Sequence, residues 1–146
     1  MVFLARSMGG VGRLWSSSQA TVVINDFELN PPCPDNRNSC MESVELYNPT
    51  DAEISLGGWY FQTEDGEILN ISTGQSIGAG EYQVFQQARW LDNDDSVSLI
   101  NGENRVVDET PFKSDDENDD WTWQRCPDGG DTWRFREVTL GSENEC

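Results

Sequence analysis

The chain has 146 residues, with 27 Asp and Glu against 9 Lys and Arg, a net charge of -18 and no histidine. Such a surface repels phosphate backbones and anionic membrane faces, whose attraction depends on Lys and Arg. The lack of His removes Ser-His-Asp and Cys-His nucleophile systems and His-bearing zinc sites, and the single lysine, Lys113, stands in no P-loop.

Residues 1–20 are rich in Ser and Gly, carry Arg6 and Arg13 and contain no acid. They read as a leader or linker outside the fold, leaving one domain over residues 21–146. No apolar run approaches the roughly 20 residues that cross a bilayer, so direct membrane insertion is not expected. From there, short apolar runs alternate with turn signals. Thr21–Leu29 reads as a first strand, ended by Asn30-Pro31-Pro32. In Ser43–Tyr47, Val44 and Leu46 alternate with Glu45 and Tyr47, the period of a half-buried strand. Asn48-Pro49-Thr50-Asp51 breaks it, because proline fixes φ and gives no ladder N–H. Ile54–Thr63 and Glu67–Ser72 follow, joined through Asp65-Gly66, a hairpin dipeptide. Then come Glu81–Phe85, Ser96–Ile100, the hairpin cue Asn101-Gly102, Arg105–Glu109, Trp121–Arg125 and Thr132–Val138. Eight or nine strands at this spacing, without helical periodicity, predict an all-β antiparallel sandwich.

The cysteines are Cys33, Cys40, Cys126 and Cys146. Six residues lie between the first two, wider than a zinc hook, so disulfides and an oxidising location are the expectation. Four cysteines permit three pairings. We expect Cys33 with Cys40 across a loop and Cys126 with Cys146 near the end of the chain, worth roughly 2.5 and 3.3 kcal/mol by loop entropy.

Two acidic loops supply hard oxygen ligands of the kind calcium takes: Asp92, Asp94 and Asp95, and Asp115, Asp116, Asp119 and Asp120. No EF-hand spacing is present, and a solvated acidic surface adapted to salt accounts for the same residues without a site. Among the tryptophans, burial in a sandwich core is the ordinary case. Trp90 and Trp121 fit a core less well and are the candidate binding aromatics. Arg125 is expected to pair a carboxylate, and Asn25 and Asn48 to bond turn backbone.

Taken together, VVINDFELNP (22–31), ESVELYNPTDAEISLGGWYF (42–61), SIGAGEYQVF (76–85), WTWQRCPDGGDTWRF (121–135) and TLGSEN (139–144) resemble the lamin tail domain in its prokaryotic, secreted form. The resemblance implies an immunoglobulin-like sandwich with no catalytic activity, and it puts Trp59, Trp123 and Trp133 at structural positions. In nuclear lamins such a domain binds proteins and has been linked to DNA and chromatin. In prokaryotes it accompanies secreted or surface proteins as an attachment unit. The acidity here argues against carrying nucleic-acid binding across. The expectation is therefore a non-catalytic, extracytoplasmic module for a protein or cell-surface partner, with no cofactor. A calcium-dependent adhesion module is the alternative, and a carboxylate-based hydrolase a remote one.

Overall fold

Alternation of apolar side chains along short runs closes two antiparallel layers in the computed structural model, which describes residues 21–33 and 40–146. The leader expected over 1–20 lies outside the described residues. Among those described there is no helix, and the strands are β1 (Val23–Glu28), β2 (Glu42–Tyr47), β3 (Ile54–Ser55), β4 (Tyr60–Thr63), β5 (Ile68–Asn70), β6 (Ser76–Ile77), β7 (Tyr82–Gln87), β8 (Asp94–Asp95), β9 (Val97–Ile100), β10 (Val106–Glu109), β11 (Lys113–Ser114), β12 (Trp121–Cys126) and β13 (Thr132–Glu137). A five-stranded sheet runs β13-β12-β1-β2-β7 and a four-stranded sheet runs β10-β9-β4-β5. The short pairs β3–β6 and β8–β11 clip the ends. The fold is thus the antiparallel sandwich the sequence predicts.

Phe27, Val44 and Leu46 from the larger sheet and Phe61, Val97 and Leu99 from the smaller one form the centre of the core, all but withdrawn from water. Each such side chain contributes about 1.5–3 kcal/mol by leaving water. Trp90, expected as a binding aromatic, belongs to this core: it is 2% exposed and its ring centroid lies 6.0 Å from that of Phe61. The turn after β7 is pulled inward by Glu42, whose carboxylate accepts from the Trp90 backbone N–H (3.1 Å) and whose carbonyl accepts from the indole N–H (3.1 Å).

Local differences from the sequence reading have local causes. The expected strand Ile54–Thr63 is broken by a turn in which the Trp59 N–H donates to the Leu56 carbonyl and Gly58 takes φ +82. Gly66, at φ 93, closes the β4–β5 hairpin as its dipeptide suggests. The β9–β10 connection is longer than Asn101-Gly102 implies. The Asn101 side chain accepts from the N–H groups of Glu103 and Arg105, and the left-handed position falls on Asn104 (φ 61).

One ion pair ties the sheets at their seam. β1 bulges at Asn25 and β10 at Val107. Asp108 of β10 then accepts from the Ile24 backbone N–H (2.8 Å) and pairs with Arg125 of β12 (2.9 Å). The Arg125 Nε donates to the Ile24 carbonyl (2.7 Å) and Nη1 to the Gly130 carbonyl (2.7 Å), so the guanidinium replaces ladder bonds lost at the bulge.

Candidate interaction surfaces

The β8–β11 ladder brings the two acidic loops side by side, with the Asp115 N–H donating to the Asn93 carbonyl (2.8 Å). Their carboxylates do different work. Asp95 is buried and holds three backbone N–H groups, those of Glu64, Ser96 and Asp92, at 2.8–3.1 Å. Asp119 caps the Trp121 N–H (3.0 Å). Asp92, Asp94, Asp116 and Asp120 point to solvent. A hydrogen bond shared with Asp65 raises the Asp92 carboxyl. Asp115 is buried: its Oδ1 accepts from the Glu117 N–H (3.1 Å), while its Oδ2 has no partner. Burial, with the charges of Asp119 and Asp116 behind it, pushes the Asp115 carboxyl up to about 6. Glu28 is raised further, to about 8, first by burial and then by Asp115 and Asp26. A polar pocket of about 300 Å³ opens beside this corner, lined by Asn30, Glu42, Asn93 and Asn118 together with Cys33 and Cys40. Among the described residues, no three acidic, His or Cys side chains converge where a metal ion could sit.

The structure pairs Cys33 with Cys40 (Cα–Cα 5.4 Å) and Cys126 with Cys146 (5.5 Å). The second bond anchors residues 138–146 as a strap across the outer face of the five-stranded sheet. The Gly141 N–H donates to Glu45, and Asn144 donates to the carbonyls of Asn25 (3.0 Å) and Arg125 (2.8 Å) and, through its backbone N–H, to Asp128 (2.9 Å). Asn25 in turn donates to Glu45 and Asp128 and accepts from the Gly129 N–H. Strand alternation places Glu45 and Asp26 on the solvent side, yet both are 0% exposed. The strap covers them, and burial raises Glu45 to about 7 and Asp26 well above the usual carboxylate range.

The inner face of β12–β13 carries the third surface. Cross-strand pairs set Trp123 against Phe135 and Arg125 against Trp133. Trp133 meets Phe27 edge-on at 5.5 Å and lies under the Arg125 guanidinium, and Trp123 is covered by the Lys113 ammonium at 4.3 Å. Both tryptophans pack against the core. The row continues beyond it through Phe135 to Trp121, ring centroids 5.5 Å apart, where Trp121 is 38% exposed; Val138, paired with Asp120 on the other face, is 42% exposed. Of the two aromatics singled out from the sequence, Trp121 is therefore the one that reaches solvent. Sequence reasoning missed Phe135, Val138 and the arginines of β13. Alternation of Trp121, Trp123 and Arg125 against Trp133 and Phe135 across a glycine turn carried the signal.

A family model described as the Lamin Tail Domain matches residues 16–114. No curated protein matches the chain. The match takes in β1 to β11 and stops before the β12–β13 hairpin, although β12 pairs directly with β1 inside the matched sandwich. With more than half of its length matched, and an immunoglobulin-like sandwich to go with it, the chain belongs to the lamin tail domain family.

Proposed function

We propose that this domain is a non-catalytic, extracytoplasmic module that holds a protein or cell-surface partner. The observation that carries the reading is the aromatic row of β12–β13, which leaves the core and opens to water at Trp121. Aromatic anchors beside a charged rim are what interfaces use for affinity. Two disulfides suit an oxidising location. Among the described residues, no helix is long and apolar enough to cross a membrane. An enzymatic role draws no support from Glu45 and Asp26, whose raised carboxyls lie beneath the strap, Glu45 accepting from Asn25 and the Gly141 N–H and Asp26 from Thr139.

Capture from the secreted or surface fraction tests this directly. The native domain should retain a saturable partner, and Trp121→Ser should weaken retention by about tenfold, the scale of one interface anchor. Equal retention by both proteins would sink the reading.

Calcium at the acidic corner is the second reading. The buried, unpartnered Asp115 Oδ2 favours it, since a cation would satisfy that oxygen and relieve the repulsion among its neighbours.

A further inference from the structure

We propose that the free edge of β13 is a docking site for an extended, acidic polypeptide strand, one that alternates carboxylate and apolar side chains. The inference rests on the reading of the domain as an interaction module and names the partner's chemistry. β13 ends the five-stranded sheet, and among the described residues β12 is its only neighbour there. Among the described residues, its outward backbone groups have no partner apart from the Phe135 carbonyl, which accepts from the Arg136 guanidinium at 3.2 Å, and the Glu137 carbonyl, which accepts from the Gln124 side-chain amide at 2.6 Å.

The two faces of this edge differ in a way an incoming strand can match. Arg134 and Arg136 lie two residues apart, opposite Gln124 and Thr122, on the outer face. Trp133 and Phe135 lie on the inner face, beside the aromatic row. A strand that pairs with β13 therefore sets alternate residues against guanidiniums and the intervening ones against rings.

Charge decides which strand. The chain carries 27 acids against 9 bases, yet the one ion pair among the described residues is Arg125–Asp108. Among the described residues, no carboxylate lies within 4.0 Å of the Arg134 or Arg136 guanidinium. The other exposed arginines among the described residues, Arg89 and Arg105, stand singly outside the strands. Among the described residues, no other edge of the two large sheets is basic. β7 (YQVFQQ) is uncharged, β10 carries Asp108 and Glu109, and β5 has three residues without charge. Charges on an edge strand usually blunt it against unwanted pairing. In a molecule of net charge -18, acids would do that by repelling every other copy, whereas arginines attract acidic chains. With Arg134 and Arg136 against the one carboxylate of Glu137, the edge keeps a net positive charge, that of a receptor for acidic chains.

The test uses the whole domain and a blocked octapeptide alternating Glu with Val, followed by amide resonances and titration calorimetry. Expected are saturable binding and slowed amide exchange at Trp133, Phe135 and Glu137. The Lys-for-Glu peptide should fail to bind, and Arg134→Gln/Arg136→Gln, checked for an unchanged melt, should weaken binding by about tenfold. Arg134→Gln alone, with a smaller loss, serves if the double variant is unstable. Backbone N-methylation along one edge of the peptide should abolish binding, and along the other edge leave it intact. Binding that survives both methylations, equal binding of the Glu and Lys peptides, no binding, or perturbation elsewhere would overturn the inference. So would self-association through this edge, with a second copy as the occupant. If Trp121-dependent capture of a partner persists while the peptide fails, the interaction module stands and only the acidic-strand inference falls.

Discussion

Glu28, Glu45 and Asp115 are carboxyl groups held in places that penalise charge. Burial is the first cause in each case, and it raises them to about 8, about 7 and about 6. A carboxyl with a raised folded-state value favours folding most when it is protonated in both states, below the unfolded value near 4. That contribution is lost as pH rises through 6, 7 and 8. The melting temperature should therefore fall between pH 5 and pH 9. Glu28→Gln should flatten the upper part of the slope and stabilise the domain at pH 8.5 by about 2 kcal/mol, or roughly 4–8 °C. A melting temperature that climbs with pH over this range would contradict the burial of these groups. The sequence marks Glu45 as the polar member of an alternating strand, which is correct for its face. Its withdrawal from water is not written there, because the covering strap starts more than ninety residues later.

At the scale of elements, the strap and the β12–β13 hairpin are coupled through Cys126–Cys146. The bond closes a loop with a sequence separation of 20, worth about 3 kcal/mol by chain entropy. Cys126→Ser/Cys146→Ser should lower stability by about that amount and should speed amide exchange at Gly141 and Asn144 before it affects β1 or β2. Simultaneous opening of strap and core would show that the strap is no separate unit. Most strands were legible, since alternation and turn residues are local properties of the chain. Asn101-Gly102 misled because the Asn101 side chain bonds two backbone N–H groups further on and moves the left-handed position to Asn104. Trp90 misled because an aromatic in a turn looks exposed until Glu42, 48 residues away, draws it inward.

For the whole molecule, a net charge of -18 makes self-repulsion a general destabilising force. Sodium chloride should raise the melting temperature by screening. If calcium occupies the acidic corner, millimolar calcium should raise it by several degrees more at matched ionic strength, and Asp115→Asn should remove that excess. An equal rise with both salts would leave screening as the whole effect. The sequence by itself determined the sandwich, the exclusion of His and P-loop chemistry and the acidic envelope, all of which follow from periodicity, residue type and composition; the family followed from the resemblance of its motifs. Tertiary structure alone decided which acids are buried, which tryptophan meets water and which sheet edge is basic. Those properties depend on residues far apart in the chain, and only the closing of one sheet over another, and of the strap over both Glu45 and Asp26, brings them together.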